Sequence, residues 1–358
     1  MPVRHQPRVG ANSTSALAEH LGLSRWTISR VLNGHSGVHP KTVKRVQDEI
    51  KRLGFVPNFH ARHLRKGETG MIGLCFHEME SPTVIQKSAL LQRFLREHQF
   101  QTLIEMTNGE AKLEEEVLRH FISMRVDGIV IIGATLEASG PVFGRIRAEN
   151  TALVWVDPET EIACNEVTVD RAAAMRFSVE HLHGLGHRDF VLLGLDPSQA
   201  YGKQRWKGFW QAAKKLGVPR ASVAHIYGRG HRHYDYEYGE VLGNRMLDQN
   251  ACVRGTAILA VNDRVAIGVM RAIKARGGVL PDDFSIVGYD DLDVCEYVEP
   301  RLTSVNQRVD VLMQKTTECL LSTIRQPLVR GGGTREMVCP ELVVRDSCIR
   351  RARCENKV

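Results

Sequence analysis

The chain has 358 residues, enough for two or three domains, and its apolar fraction of 43% allows a sizeable core. No apolar run reaches the roughly 18 residues that a membrane-spanning helix requires, and the polar N-terminus MPVRHQPRVGANSTS lacks the apolar region of a secretory signal. Eight scattered cysteines without a C-x-x-C pair argue against a disulfide framework or a zinc site. Composition therefore excludes a membrane-spanning protein and favours a cytoplasmic one.

Positive charge is concentrated at the start of the chain. Residues 1–70 contain 12 Lys and Arg against 4 Asp and Glu, whereas the rest contains 36 against 37, so the first fifth carries a net +8 and the remainder −1. This asymmetry is typical of a nucleic-acid-binding domain attached to a near-neutral body. A basic disordered tail is the alternative, but the strong helical patterning of the segment argues against it.

Three helices are predicted in series in the basic segment, over about 14–21, 25–32 and 40–53. The residues expected to cap or break them are Ser13 or Thr14, Gly22, Ser24, His39 and Gly54. A helix, a glycine turn and a second helix at this spacing predict a helix-turn-helix, in which the second helix enters the major groove of DNA.

The second helix carries four residues away from its apolar face: Arg25, Trp26, Ser29 and Arg30. An arginine there can form a bidentate pair with guanine, and the indole can lie against a thymine methyl or a sugar edge. Two alternatives remain. Trp26 could pack against the third helix as part of the core, and the two arginines could contact phosphates, which would give affinity without specificity.

A short helix of about two turns is predicted after Pro57 in GFVPNFHARHLRKGETG, with Ala61 and Leu64 on one face. The helix has few apolar companions, so in water it would be marginal by itself.

The basic segment resembles the head and hinge of the lac repressor (LacI/GalR) family of bacterial transcription regulators. The matching stretches are LAEHLGLSRWTISRVLNG, VHPKTVKRVQDEIKRLGFVPN and ARHLRKG, and in combination they are highly specific. The resemblance implies base-reading roles for Arg25, Trp26 and Arg30. It implies contacts with phosphates or base edges for Ser24, Thr27, Ser29 and Asn33.

The resemblance also makes the short helix a DNA-contacting hinge. It places Asn58 and Ala61 in the hinge and equates Leu64 with the leucine that enters the minor groove at the centre of the operator. Such a wedge unstacks a base step at a cost of a few kcal/mol and bends the duplex. The hinge is then expected to be ordered mainly on DNA and in the dimer. An ordinary contact within a linker is the alternative for Leu64.

Apolar strands alternate with helices through most of the remaining chain. The strand-like stretches are MIGLCF, QTLIEM, VDGIVIIGA, ALVWVD, EVTVD, DFVLLGL, SVAHIYG, TAILAVND and FSIVGYDD. Nearly continuous apolar strands separated by helices predict parallel sheets that are covered on both faces. Two such halves predict two lobes with a cleft between them, where ligands bind beyond the carboxyl ends of the strands.

This body resembles the periplasmic-binding-protein-like core of the same family in EHLHGLGHRDFVLLG, RWKGF, AILAVNDRVAIGVMRAI, FSIVGYDD and PRLTSVNQ. The resemblance implies effector contacts from Arg205, Asn262, Asp290 and Gln307. An arginine fork, a carboxylate and two amides suit a polyhydroxylated or purine-like ligand. The alternatives are a helix cap for Asn262, hydrogen bonding between the lobes for Asp290 and Gln307, and a structural salt bridge for Arg205.

The first lobe departs from the family pattern in CFHEMESPTV, where Thr83 and Val84 stand at positions that are commonly aromatic. His77 takes a position that contacts ligand in family members. Any aromatic ring that stacks on a sugar must therefore come from elsewhere. The candidates are Tyr234, best placed by register, and behind it Trp155 or Phe76.

No metal, cofactor or enzyme activity is expected. Motifs of the types G-x-S-x-G, H-E-x-x-H, P-loop and G-x-G-x-x-G after a strand do not occur. The loop GRGHRHYDYEYG contains His231, Arg232 and His233 followed by Asp235; a solvated loop that enters the cleft is expected, with a zinc site as the alternative. The C-terminal VVRDSCIRRARCENKV lacks leucine heptads, so a dimer is expected.

The predicted fold class is α/β, with an all-α helix-turn-helix head and hinge helix before a two-lobed core of parallel sheets. The predicted boundaries are 1–56 for the head, 57–69 for hinge and linker, 70–346 for the core and 347–358 for a charged tail; the first lobe takes 70–168 and 308–331, the second 169–305 and 332–346.

The predicted function is sequence-specific regulation of transcription, with repression as the commoner family outcome. A homodimer would bind a pseudo-palindromic operator on the nucleoid in the bacterial cytoplasm, under the control of a small effector such as a sugar or sugar derivative. A periplasmic-type sugar-binding protein without a role on DNA is the alternative, against which the basic head and the lack of a signal peptide argue.

Overall fold

The computed structural model describes residues 13–32, 36–55, 68–133, 140–158, 164–228, 234–248, 256–326 and 333–351. The chain divides into two compact units, residues 1–70 and 71–358. Within the described ranges, no helix combines the length and the apolar character needed to cross a membrane.

The described part of the first unit contains three helices, α1 (Thr14–Leu21), α2 (Arg25–Leu32) and α3 (Pro40–Leu53). Their apolar faces enclose one small core. The buried apolar side chains of this core are Leu17, Ala18, Leu21, Ile28, Val31, Val46 and Phe55.

The helix ends confirm the predicted caps. Ser13 Oγ, Ser24 Oγ and His39 Nδ1 each accept a backbone N–H of the first turn, at 3.1, 3.0 and 3.3 Å. Gly22 and Gly54 end α1 and α3 with φ angles of 62° and 59°, a left-handed conformation that glycine adopts without steric cost. Local sequence therefore determines where these helices start and stop.

The second unit contains two six-stranded sheets. The strands of the first sheet are β1 (Met71–Phe76), β2 (Gln101–Met106), β3 (Gly128–Ile132), β4 (Ala152–Val156), β5 (Asn165–Val169) and β11 (Arg335–Val338). Its order is β11-β5-β4-β3-β1-β2, and every neighbouring pair is parallel.

Helices cover both faces of this sheet. The covering helices are α4 (Pro82–Glu97), α5 (Ala111–Ser123), α6 (Pro141–Ala148) and α11 (Val309–Arg325). The apolar side chains of α4 and α11 pack in one buried cluster and those of α5 and α6 in another, so the inner strands β1, β3, β4 and β5 are buried on both sides.

The second sheet has the order β12-β10-β9-β8-β6-β7. Its strands are β6 (Phe190–Leu193), β7 (Val223–Ile226), β8 (Ala257–Ala260), β9 (Ser285–Tyr289), β10 (Thr303–Asn306) and β12 (Glu341–Val343). The helices of this lobe are α7 (Arg171–Gly184), α8 (Ala200–Lys215), α9 (Tyr236–Asp248) and α10 (Asp263–Ala275). Only the β10–β12 pairing is antiparallel among these strands. The predicted two-lobed α/β architecture is thus confirmed.

Two predicted boundaries are wrong. Residues 347–351 were assigned to the charged tail, yet they are held on the second lobe, where Ser347 Oγ donates to the carbonyl of Ile286 at 2.6 Å. Residues 332–346 were assigned to the second lobe, yet β11 pairs in parallel with β5 in the first sheet, and only β12 joins the second. The Asn165 side chain fixes this pairing, because its Oδ1 accepts hydrogen bonds from both the backbone N–H and the hydroxyl of Thr334. The chain therefore crosses to the second lobe after Val338.

Candidate functional site

The exposed face of α2 carries an unusual indole. Trp26 is 62% exposed, so the alternative that it packs as core is wrong. The guanidinium carbon of Arg30 lies 4.8 Å from the ring centroid, a cation–π contact that holds both side chains on the same face. Arg25 is exposed beside them. A flat apolar ring next to two cations is suited to a polyanion with apolar groups, such as a DNA groove.

Some side chains predicted to contact DNA also make contacts within the head. Arg30 Nη2 donates a hydrogen bond to the carbonyl of Ser36. Ser24 Oγ lies 2.9 Å from Thr27 Oγ1 in addition to capping α2. Ser29 is half-buried on the same helix. Ser24 therefore has a structural role whether or not it also contacts a phosphate.

Several predicted residues lie outside the described residues. They are Asn33, Asn58, Ala61 and Leu64 of the DNA-contacting set and His231, Arg232 and His233 of the loop considered for zinc. Their roles stay predictions. Within the described ranges, no group of three or more His, Cys, Asp or Glu residues is arranged to hold a metal ion.

Trp26→Ala is expected to change the base preference at one position of the DNA site, by on the order of 1 kcal/mol, because an apolar contact to a base edge is lost. The melting temperature should stay unchanged, since the indole contributes little to the core. Binding to a set of single-base variants of a selected site measures both affinity and preference. Lys51→Ala, on the exposed face of α3, is the control, and equal preference profiles for the two variants would remove Trp26 from base recognition.

A cleft of about 220 Å³ lies between the two sheets of the second unit. All six residues predicted to contact an effector line it: His77, Arg205, Tyr234, Asn262, Asp290 and Gln307. Four of them directly or almost directly follow strands β1, β8, β9 and β10. The topology of parallel sheets therefore brings these side chains together, as expected for ligand sites at strand carboxyl ends.

Arg205 lies on the floor of the cleft. Its guanidinium carbon is 3.5 Å from the ring centroid of Tyr289, and Nη1 donates to the carbonyl of Val261 at 2.5 Å. Its Nε is buried and has no hydrogen-bond partner among the described residues. The hydrogen bond goes to a carbonyl rather than to a carboxylate, so the predicted alternative of a structural salt bridge is not what the structure shows.

Asn262 makes two contacts with the protein. Its Oδ1 accepts the N–H of Val265 at 2.8 Å and caps α10, as the alternative interpretation held, and its Nδ2 donates to the carbonyl of Tyr234 at 2.9 Å. Asn262 therefore positions the Tyr234 segment at the cleft wall.

Asp290 and Gln307 are joined by a hydrogen bond within the second lobe, from Gln307 Nε2 to Asp290 Oδ1 at 2.5 Å. Burial raises the pKa of Asp290 to about 6, although nearby Arg205 opposes the shift. Asp290 has a φ of 109°, a conformation that costs a side-chain-bearing residue on the order of 1–3 kcal/mol and that clusters at functional sites. Gln307 Oε1 is buried without a partner in the described structure, so it can accept a ligand hydroxyl.

An ion triad that the sequence analysis missed lies beside these residues. Asp157 Oδ2 is 2.6 Å from Lys87 Nζ, and Asp157 Oδ1 is 3.0 Å from Arg171 Nη2. Burial alone would raise the pKa of Asp157, but Arg171 and Lys87 together hold it well below the usual range. A sequence signal existed, because Asp157 follows β4 as Asp290 follows β9, and Lys87 interrupts the apolar face of α4.

Tyrosine rings form one wall of the cleft. Tyr201 and Tyr234 both line it, with centroids 6.1 Å apart in an edge-to-face arrangement. The other two candidate rings are wrong: Phe76 is buried in the first lobe, and Trp155 is buried there in a stack with Phe143 at 5.4 Å. Tyr201, at the start of α8, was missed because helix periodicity does not distinguish a cleft-facing ring from a core ring.

The first lobe supplies His77 to the rim. Its Nδ1 lies 3.5 Å from the carbonyl of Ile132, and its ring packs on Gly133, where an added Cβ would be 2.5 Å from Nδ1. Across the cleft, Arg264 Nη1 donates to the carbonyl of Glu80 at 2.9 Å. The two lobes thus touch at the mouth of the cleft.

Two parts of the chain match known families. Residues 17–58 match the bacterial regulatory proteins of the lacI family, and residues 179–348 match the periplasmic binding protein-like domain. The chain is 29% identical to the HTH-type transcriptional regulator DegA of Bacillus subtilis, covering 92% of this chain and 96% of that protein. It is 26% identical to the ribose operon repressor of Haemophilus influenzae, covering 85% and 90%.

Solved structures share the fold. The lac repressor dimer bound to operator and an anti-inducer superposes with a TM-score of 0.78 at 24% identity, covering 93% of this chain and 98% of that one. The complex of the transcriptional regulator CelR with cellobiose gives 0.66 at 24% identity, covering 94% and 99%.

Proposed function

Because the chain belongs to the lacI family of bacterial regulatory proteins, we propose that it binds a specific DNA operator and regulates transcription under the control of a small effector held in the cleft. The observation that carries the proposal is the combination in one chain of a helix-turn-helix with an exposed Trp26 and a cleft lined by six polar or aromatic side chains from the predicted set. A sugar-binding protein without a role on DNA would leave the exposed face of α2 without a function.

The effector is a sugar or sugar derivative in this proposal. The cleft offers an arginine, a carboxylate, amides and tyrosine rings, which together satisfy several ring hydroxyls and one apolar sugar face. Among similar proteins are a ribose operon repressor and a regulator solved with cellobiose. Repression is the output we expect, exerted by a homodimer in the cytoplasm on a pseudo-palindromic operator.

Contacts between the lobes give the effector a means of control. The Asp157–Arg171 ion pair and the Arg264–Glu80 hydrogen bond both join the first lobe to the second. A ligand that binds between the lobes must favour one arrangement of these contacts over another to shift the equilibrium. Coupling is reciprocal, so operator and effector change each other's affinity by the same factor, typically 5- to 150-fold.

The experiment has two steps. The full chain first selects binding sites from a pool of random double-stranded DNA, and its affinity for the selected site is then measured with and without sugars, sugar acids and polyols. We expect at least one compound to change operator affinity at least fivefold. Failure to select any DNA sequence would contradict the proposal.

Arg205→Met is expected to keep operator affinity within twofold and to lose the effector response, because the cleft loses one of its three buried cations. The matched control is Arg220→Met, an exposed arginine over Trp210 outside the cleft, which should respond like the parent. A full response in the Arg205 variant would exclude Arg205 from the effector site.

A further inference from the structure

The floor of the cleft contains more buried positive than negative charge. Lys87, Arg171 and Arg205 are only 5%, 9% and 7% exposed, and all three line the cleft. The carboxylate buried among them is Asp157. Charges removed from water are stable only when they are paired and hydrogen-bonded, so the partner of each cation matters.

Asp157 is saturated by donors of the protein. Besides Lys87 and Arg171, its Oδ1 accepts the hydroxyl of Thr168 at 3.1 Å and the N–H of Val169 at 3.0 Å. One carboxylate therefore serves two cations and leaves the triad with a net charge of +1. Asp157 also has little capacity left to accept a hydroxyl of a ligand.

Arg205 adds a third cation whose hydrogen bond goes to a carbonyl. Asp290 is the carboxylate that offsets its charge, although burial raises the pKa of Asp290 to about 6. With Asp157 and Asp290 both ionised, three cations still face two anions. Protonation of Asp290 would remove one of these anions and increase the excess of positive charge.

None of the other buried carboxylates of the second lobe lines the cleft. Asp196 is 3% exposed, lies near the Tyr201 and Tyr234 rings, and accepts hydrogen bonds from the N–H and the hydroxyl of Ser198 at 2.9 and 2.6 Å.

Asp263 does not line the cleft, and burial together with the charge of Asp290 raises its pKa to about 7, so it is only partly ionised at neutral pH. Glu78 and Glu80 lie at the rim with Arg264 and His77, and they are more exposed than the floor. Solvent screens their interaction with the buried groups.

Resting on the proposed function, we infer that the effector carries one acidic group, a carboxylate or a phosphate, on a body the size of a single sugar ring. The acidic group lies against the floor cations, among which Arg205 keeps an Nε donor without a partner in the described structure, and Arg matches the geometry of both anions. The unpartnered Oε1 of Gln307 accepts a hydroxyl of the same ligand.

The size of the cleft limits the ligand. Its 220 Å³ lies below the roughly 300–1,000 Å³ that is typical of ligand pockets. The rings of Tyr201 and Tyr234 form one wall of this volume, with their centroids 6.1 Å apart. A single ring with one acidic substituent therefore fits both the volume and the charge.

Calorimetric titration of the full chain with matched compounds tests the inference. The sets are glucose, glucuronate and glucose 6-phosphate, and galactose, galacturonate and galactose 6-phosphate. We expect one acidic compound to bind at least tenfold more tightly than its neutral parent. Binding of the uronate would identify a carboxylate ligand, and binding of the 6-phosphate would identify a phosphate ligand. A panel in which no acidic sugar binds more tightly than its neutral parent overturns the inference.

Lys87→Met should reduce the preference for the acidic compound at least tenfold, because the floor then loses its net charge. Lys112→Met, at an exposed side chain of α5 outside the cleft, removes the same charge and should leave the preference intact. If Lys87→Met fails to fold, Arg205→Gln should lose the preference and Arg205→Lys retain it. A preference unchanged in a folded Lys87→Met and in Arg205→Gln overturns the inference. Operator release by a neutral sugar would overturn it while leaving the proposed function intact.

Discussion

Asp157→Ala is expected to lower the free energy of unfolding of the two-lobed core by about 3–5 kcal/mol. The substitution leaves Lys87 and Arg171 buried side by side without their common carboxylate, at 5% and 9% exposure. Urea unfolding followed by circular dichroism measures the loss. At about 2–4 °C per kcal/mol for a domain of this size, the melting temperature should fall by roughly 10 °C.

Two further variants separate charge burial from a general effect of substitution. Glu149→Ala removes an exposed carboxylate paired with Arg145 at 3.0 Å and should cost less than about 1 kcal/mol. Adding Lys87→Met to Asp157→Ala should recover part of the lost stability, since one of the two repelling cations is gone. A loss below about 1 kcal/mol for Asp157→Ala would show that the triad contributes little.

The same triad gives a pH dependence of known sign. Arg171 and Lys87 hold the pKa of folded Asp157 below its unfolded value, despite burial. Its contribution to stability is therefore present above the ordinary carboxyl pKa of roughly 4 and is lost as the pH falls below that value. In Asp157→Ala, the loss of stability at acidic pH that comes from protonation of Asp157 should be absent.

The three described helices of the head could be predicted from the sequence because their signals are local. Ser24 caps the helix that begins one residue later, and Gly54 ends the helix that precedes it. The exposure of Trp26 follows from its position opposite the apolar stripe of an eight-residue helix. In each case the interacting groups are at most four residues apart, so spacing alone carries the information.

The same reasoning fails for the buried strands of the core. Strands β1 and β4 are buried on both faces, so the positions of Phe76 and Trp155 showed no alternation of apolar and polar residues that would indicate that they point away from the cleft. The short outer strands β11 and β12 lack apolar periodicity, and their pairing alone determines which lobe they join. These features depend on distant neighbours that periodicity does not identify.

Only part of the cleft lining could be predicted from the sequence, and the reason is physical. Strand ends mark ligand sites in parallel sheets, which predicted the region of the cleft, and the family resemblance assigned His77, Arg205, Asn262, Asp290 and Gln307 to it. Lys87 and Asp157 are 70 positions apart in sequence, and each was explicable separately as an ordinary surface charge. Only the folded chain shows that they share one buried ion pair.

Ionisation of the buried Asp263 carboxyl is expected to lower the free energy of unfolding at neutral and alkaline pH. It is fully buried, and it accepts hydrogen bonds from Leu292 N–H at 2.8 Å and from Ser304 Oγ at 2.5 Å. Burial and the charge of Asp290 raise its pKa to about 7. Because the folded state holds this proton more tightly than the unfolded state, the stability falls as the pH rises from roughly 4 to 7, and above that range the loss is constant.

Asp263→Asn should therefore stabilise the core at pH 8 by ~2–4 kcal/mol relative to the parent, because the ionised carboxylate is replaced by a neutral amide. The amide oxygen can still accept from Leu292, and its Nδ2 can donate to the rotatable hydroxyl of Ser304. Half-buried His181 and His225, whose pKa values are lowered by desolvation, change the stability of both proteins in the opposite sense. The informative quantity is thus the difference in unfolding free energy between variant and parent, measured in urea from pH 4 to 9.

We expect this difference to be near zero at pH 4, to grow by on the order of 1 kcal/mol per pH unit, and to level off above pH 7. Asp282→Asn, at an exposed carboxylate of the same lobe, should give a small difference at every pH. A difference for Asp263→Asn that does not vary with pH would mean that the buried carboxylate stays ionised in the folded state. The charge balance around Asp290 would then include a full negative charge behind the cleft, and the preference for an acidic ligand would weaken accordingly.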